Sequence, residues 1–463
     1  MLSVAVVGAA TAASVAALSV ALSRDVPRVA TGFVAHTLCS AAFVSKVDPD
    51  QVFDETAAAM PGVGLIKWAL DSRIDRAARR VTTTLFGIGQ SRAVYREGLG
   101  CLVENGGTVD AALPSQENRI AARLPDIAGP ALVAPADAEL AQALDRAFAE
   151  PDQPPFRHTH AVVVVKDGRI VAERYAPGYG VETPLPGYSA TKSVISALIG
   201  ILVRKGRLAV DAPAPVAAWQ DPDDPRRAIT VDHLLRHTSG LAMGSSLNAS
   251  LMSAFDRVNR MKYLEPDMAA FAESSDLEAA PGTLWDYHDG NTLILSRLIR
   301  DAAGGHAADV MTFVRRELFD PLGIRGVTLE FDATGTPEGS SQMFATARDW
   351  ARFGLLYLND GIVGGSRLLP EGWVNESAAL TPSAWAGMGA GFWTNRGDSK
   401  GAQYRAALGM PRDAFYASGV LGQYVIIVPS QNLVIARFGI SANRYDIEGV
   451  SRLVADVMEA LGH

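Results

Sequence analysis

The sequence predicts an α/β protein of the α+β kind, a mixed antiparallel sheet flanked by helices and split by an inserted, mostly helical subdomain. Two hairpins and the helical stretch between them predict it. In the first, the β-branched runs of Ala161–Tyr175 are joined by Lys166-Asp167-Gly168, and Asp-Gly between apolar runs is a strong turn signal. In the second, Gln423–Val428 and Leu433–Phe438 flank Pro429-Ser430-Gln431-Asn432. Between them, helical spacing of apolar residues predicts helices over Ser193–Lys205, Val231–His237, Asn291–Ala303 and Ala347–Asn359, and a last helix follows at about Ile447–Leu461. The main domain therefore spans 156–463, with its sheet from about 158–180 and 411–463 and the helical subdomain over about 200–400. Residues 25–155 read as an N-terminal extension, with helical patches at Lys67–Val81 and Asp137–Ala149 and glycine-rich breaks around Gly98–Gly107.

A chain of 463 residues can bury a large core in two or three packing units. Its composition, 48% hydrophobic and 20% charged, is that of a globular protein. The net charge of -8, with no basic run interleaved with aromatics, argues against a nucleic-acid partner. Met1–Ser23 carries no charged side chain. It is long enough to span a bilayer as a helix, and it equally suits the apolar part of a secretory signal, although no Lys or Arg precedes it. The ordinary alternative is a buried helix. An exported, periplasmic or membrane-anchored protein is the expectation. Cys39 and Cys101 would form one disulfide in an oxidising compartment, or would otherwise be two buried thiols. No CxxC or Cys/His cluster exists, so no structural metal is expected.

Chemistry concentrates at Ser189-Ala-Thr-Lys192, where an apolar helix begins. At a spacing of three, both side chains share one helical face. A serine hydroxyl is a weak nucleophile that needs an adjacent base, and a lysine amine can serve only if burial or nearby positive charge lowers its pKa. A serine at a helix start also has free backbone N–H groups close to developing negative charge. Of the seven lysines, only Lys192 has a serine three residues before it. The ordinary alternative is a capping serine with a solvent-facing lysine. Other hydrolase signatures fit less well. No G-x-S-x-G occurs, Gly187-Tyr-Ser-Ala-Thr191 breaking that pattern at its last position, and no H-E-x-x-H occurs.

From about His158 onward the chain resembles the class C β-lactamase and DD-peptidase superfamily. Three blocks carry the resemblance: Tyr188-Ser-Ala-Thr-Lys-Ser-Val-Ile-Ser-Ala-Leu-Ile-Gly200, Lys205-Gly-Arg-Leu-Ala-Val-Asp-Ala-Pro213 and Ile229-Thr-Val-Asp-His-Leu-Leu-Arg-His-Thr-Ser-Gly-Leu241. Within the superfamily, Ala345–Gly354 and Phe415–Gln423 are most similar to the esterase and 6-aminohexanoate-dimer hydrolase branch, and Leu38–Val44 resembles bacterial members with a membrane-proximal start. The resemblance implies a β-lactamase-like fold and a serine hydrolase that needs no cofactor. It implies Ser189 as acylated nucleophile, Lys192 as proton acceptor, and Tyr287 in the place of the family's catalytic tyrosine.

The family's Y-x-N falls on Tyr287-His288-Asp289, so Asp289 replaces the Asn, with Asn291 two residues on. A tyrosine beside an ammonium can act as phenolate or as proton relay; its ordinary alternative is a core aromatic. The family's K-T-G or H-x-G strand falls on Val420-Leu421-Gly422, where both cations are absent. That makes β-lactams and peptidoglycan stems poorer candidates than small esters or amides. Gly422 and Gln423 remain as backbone contacts, the N–H groups of Ser189 and Gln423 forming the implied oxyanion hole. Tyr188 and Trp393 complete the substrate-binding candidates. His237 reads as a structural turn residue, His158 and His160 as surface residues, His288 as a residue that could line the pocket, and Trp285 and Phe392 as pocket wall or core. Two rival classes stand beside the esterase or amidase reading: a β-lactamase or DD-peptidase, and a non-catalytic, membrane-associated binding protein.

Overall fold

The computed structural model describes residues 25–106, 113, 120–247, 253–442 and 446–462; the apolar stretch 1–23 lies outside them. The chain enters as helix α1 (Asp25–Cys39) and passes through α2 (Pro49–Ala59) into four antiparallel strands, β1 (Leu70–Asp75), β2 (Arg80–Leu85), β3 (Ile88–Arg96) and β4 (Gly100–Val103), on which α1 packs. The expected helix over Lys67–Val81 is therefore corrected. Its charged, Ala-rich centre is the β1–β2 turn, closed by the Ala78 N–H donating to Asp75 Oδ1 (2.9 Å) with Arg79 at positive φ, and Leu70 and Ile74 pair with Leu85 and Val81. The strand signal, Thr82-Thr83-Thr84, lies just beyond.

Cys39, ending α1, is disulfide-bonded to Cys101 on β4, with their Cα atoms 6.2 Å apart. Beside the bond, the buried Glu330 carboxylate of the main domain accepts from the Cys101 N–H (2.7 Å) and lies 2.6 Å from His36 Nε2. The disulfide thus ties α1 to β4 within the extension, and the Glu330 carboxylate joins that cross-linked corner to the main domain. A cross-link joining residues 62 apart stabilises by about 4 kcal/mol in the chain-entropy account. Reduction, or the paired Cys39→Ser and Cys101→Ser change, is expected to lower the first thermal transition in calorimetry; an unmoved transition would count against a stabilising role of this cross-link in the extension.

The chain then forms α3 (Ala138–Phe148), capped by Asp137, and the strands β5 (Thr159–Lys166) and β6 (Arg169–Tyr175). Helices α4 (Thr191–Arg204), α5 (Arg257–Leu264), α6 (Asp289–Ala303) and α7 (Ala347–Leu358) follow, then strands β7 (Trp393–Thr394), β8 (Phe415–Gly419), β9 (Gln423–Val428) and β10 (Leu433–Gly439), and helix α8 (Ile447–Ala460). The six main strands run in the order β7-β8-β9-β10-β5-β6, every pairing antiparallel. Both faces are covered, which is why β5 is an unbroken valine run rather than an alternating one. Val163, Val165, Val425, Ile427 and Val434 face the core shared with α4 and α7, while Val162, Val164, Ile426 and Ile435 face α3 and α8. The sheet, built from both ends of the main domain, presents the end of β8 to the start of α4, and there the polar groups gather.

Candidate active site

Ser189 sits in a single 3-10 turn, Tyr188–Ala190, that runs straight into α4. Local sequence forces this geometry. Gly187 N–H donates to Met343 O (2.8 Å), and a Cβ at Gly187 would lie 2.3 Å from the Trp350 ring, so only glycine passes. Tyr188 then takes a positive φ of 42°, which re-aims the chain and leaves Ser189 half-buried at the helix start.

Lys192 follows one turn later and is 3% exposed, so the solvent-facing lysine is excluded. Its Nζ donates to Ser189 Oγ (3.1 Å), Asp289 Oδ1 (2.6 Å) and the Ser340 carbonyl (2.8 Å). The second Asp289 oxygen accepts from Lys262 Nζ (3.3 Å), which also donates to Ser341 Oγ and lies 3.7 Å from Glu338 Oε1. Glu338 in turn accepts from the Ser340 hydroxyl (2.6 Å) and the Ser341 N–H (2.9 Å). Two ammonium groups and two carboxylates thus form one buried network with matched charge.

This network corrects the expectation for Lys192. Burial, the largest single influence, pushes its pKa down, but the Asp289 carboxylate and Tyr287 together act upward and the net shift is upward. For Asp289 burial acts upward, yet Lys192 and Lys262 hold it well below the usual carboxylate range. The direction at Lys192 is the opposite of the lowering that a free-amine base there requires. Lys262 is also raised, despite burial, by Asp289 and Glu338.

Tyr287 is buried against this cluster. Lys192 Nζ lies 5.1 Å from its ring centroid, and the His237 and Trp393 rings lie 4.6 and 5.3 Å away. His237 is a buried turn residue at positive φ. Burial, then the nearby His288 and Lys192, pushes its pKa well down and keeps it neutral. His288 does not line an open pocket. It is the N-cap of α6, its ring accepting from the Asn291 N–H (3.4 Å), and burial lowers it to about 4.

Two substrate-contact expectations need correction. Asn291 is wholly buried with its amide on His237 Nδ1 (3.3 Å). Because α6 starts at Asp289, a two-residue step turns Asn291 by about 200° to the opposite face. The glycine packed against the Ser189 turn is Gly419 rather than the expected Gly422. A Cβ at Gly419 would lie 3.1 Å from Ser189 N and 2.2 Å from Gly187 O, whereas one at Gly422 would strike Arg437 Nη1 at 2.3 Å. The Gln423 side chain donates to the Val420 and Gly439 carbonyls. The β8–β9 turn falls at 420–422, so Gly419–Val420 is the segment beside Ser189. His160, expected at the surface, is buried and paired with Glu55 (2.7 Å). Trp393 is half-buried on Tyr287, and Trp285 meets the exposed Trp385 edge-on (6.1 Å). Lys262, Glu338 and Ser340 were not anticipated, and no local motif marks them.

A family model described as "Beta-lactamase" matches residues 144–444, more than half of the chain. The chain belongs to the beta-lactamase family. Its relatives in this family include the 6-aminohexanoate-dimer hydrolase of Paenarthrobacter ureafaciens, 25% identical over 304 residues that cover 60% of this chain and 72% of that protein. Esterase EstB of Burkholderia gladioli is 29% identical over 228 residues, 45% of this chain and 53% of that one. A penicillin-binding protein homologue from Caulobacter crescentus shares the fold, with a TM-score of 0.52 at 19% identity over 73% of this chain and 100% of that one. Residues 25–143, with α1, α2 and the four-stranded sheet, precede the segment that the beta-lactamase model matches.

Proposed function

We propose that this chain is a serine hydrolase that cleaves a small ester or amide through an acyl-enzyme on Ser189. The carrying observation is the buried Lys192, whose Nζ reaches Ser189 Oγ and is itself held by Asp289 and Ser340. Relatives named as an esterase and an amide-dimer hydrolase support the substrate class.

In acylation the Ser189 oxygen attacks the carbonyl carbon. The Ser189 proton passes to the Tyr287 oxygen while the Tyr287 hydroxyl proton passes to the leaving group. Lys192 contributes to this general-base pair as an ammonium, steadying negative charge on both oxygens. The carbonyl oxygen is received by the Ser189 N–H and a backbone N–H of Gly419–Val420; losing one such donor typically costs about 100- to 1000-fold in rate. Water then cleaves the acyl-enzyme by the reverse proton path.

Val420 bears on the rival β-lactamase reading. The strand segment Ala417–Val420 that reaches the Ser189 turn carries no cation where that chemistry would call for one. Arg437, on the neighbouring β10, is buried with its guanidinium donating to Gly422 O, Thr159 Oγ1 and Ser441 Oγ. A substrate carboxylate left without a charged hydrogen-bond partner forfeits roughly tenfold or more. Turnover of short p-nitrophenyl acyl esters is therefore expected to exceed that of a chromogenic cephalosporin by at least about tenfold in kcat/KM. Efficient cephalosporin hydrolysis, or a stable penicillin adduct by mass spectrometry, would favour the β-lactamase or DD-peptidase alternative. Failure of a fluorophosphonate probe to label Ser189 would favour a binding protein. The Cys39–Cys101 bond supports export to an oxidising compartment.

A further inference from the structure

We propose that one corner of the N-terminal unit is a membrane-docking surface that seats on a lipid bilayer beside the start of α1. The corner is made by Leu65, Trp68, Phe86 and Ile88, which are 61, 78, 62 and 56% exposed. Among the described large apolar side chains, only Trp385 and Leu132, at 61 and 54%, are exposed to a similar degree. Single exposed apolar residues are ordinary, but a contiguous group marks a contact surface.

Trp68 and Phe86 are in contact, Ile88 lies just across the turn from Phe86, and Leu65 precedes Trp68 by one turn. The Trp68 and Phe86 rings meet edge-on at 5.0 Å, and Phe86 N–H donates to Ala69 O (2.9 Å). Leu85 and Ile88 pair across the two-residue turn Phe86-Gly87. Phe86 holds a positive φ of 51° at this turn, a place that favours Asn, Asp or Gly. An aromatic there incurs backbone strain and gains no burial within the fold, so its apolar surface is available to something outside.

The position of the chain's first residues names the occupant. The first turn of α1 lies on the same hairpin. A Cβ at Gly89 would meet Pro27 Cβ at 2.4 Å, and Thr31 Oγ1 donates to Gly89 O (2.6 Å). The uncharged Met1–Ser23 therefore joins the fold next to Ile88 and Phe86. As a helix, 23 residues would measure about 34 Å, against roughly 30 Å of hydrocarbon. A segment entering a bilayer at this point brings the Trp68–Phe86 corner to the same interface, where tethering makes a weak second contact effective. Trp is also a residue suited to that boundary. Residues 25–106 contain nine Lys and Arg and nine Asp and Glu, so apolar insertion rather than attraction to anionic lipid governs this contact.

The test uses the full chain in phosphatidylcholine vesicles. Both native cysteines are bonded to each other, so Trp68→Cys and Phe86→Cys each introduce one reactive thiol for a nitrobenzoxadiazole fluorophore. Leu132→Cys, at a site 54% exposed, is the control, and circular dichroism checks the fold of each variant. The expected result is several-fold stronger quenching at 68 and 86 by nitroxide-bearing lipid than by aqueous iodide, with the reverse at 132. Iodide access at 68 and 86 equal to that at 132 would overturn the proposal. So would protection from both quenchers, which would mean that protein covers the corner.

Discussion

Ser189→Ala is expected to lower p-nitrophenyl ester hydrolysis by at least about 1000-fold while leaving the fold intact. The hydroxyl is half-buried, and the hydrogen bond it loses is one of three made by Lys192; Asp289 and the Ser340 carbonyl remain. No buried ammonium is therefore left without a partner, and stability should change by less than about 1 kcal/mol. Circular dichroism with steady-state kinetics separates the two quantities. Near-wild-type turnover in this variant would remove Ser189 from the reaction. Loss of fluorophosphonate labelling in parallel would tie the same atom to the covalent step.

Tyr287→Phe is expected to cost at least about 100-fold in kcat/KM, the scale of a lost proton-transfer group, because no proton then reaches the leaving group. Asp289→Asn tests the charge state of Lys192 within the same mechanism. Asp289 is the strongest group raising Lys192; without it, burial and the nearby Lys262 act downward with only Tyr287 opposing them. If the ammonium is the working form, activity is lost as pH rises through the Lys192 pKa. The variant should then lose activity at a pH at least about one unit lower than the parent. A kcat/KM profile from neutral to strongly alkaline pH reads this shift. A site that used the free amine would instead gain activity near neutrality in Asp289→Asn, and that outcome would reinstate Lys192 as the primary acceptor. The corresponding stability term has a definite sign. Asp289 is depressed on folding, so its contribution is present above the ordinary carboxylate pKa and disappears only as pH falls through its lower folded value.

What could be read from the chain was whatever neighbouring residues impose on one another. The Asp167-Gly168 turn gives the β5–β6 hairpin, because both strands and the residues that join them are adjacent in sequence. Ser189 and Lys192 meet because one helical turn separates them. The segment Lys67–Val81 misled for a related reason. Its turn, Asp75–Arg79, has helix-forming composition, and only the pairing of Leu70 with Leu85 makes the flanks strands.

Asp289 shows where local reading reaches its limit. The motif placed it beside Tyr287, but starting the helix at Asn291 hid the cap at His288 that turns Asn291 away. The register of the β8–β9 hairpin, which puts Gly419 rather than Gly422 against Ser189, depends on how β8 packs on the nucleophile turn.

The sequence by itself determined Ser189, Lys192 and Tyr287 as candidates and the strands and helices that carry them. Only the tertiary structure decided which charges surround that lysine and therefore the direction in which its pKa moves. Lys262 and Glu338 lie 70 and 146 positions from Lys192 and reach the site from α5 and from a loop before α7, with no spacing that links them. Coulomb energy between buried groups depends on distance in space and on the water excluded around them, and neither quantity is written along the chain.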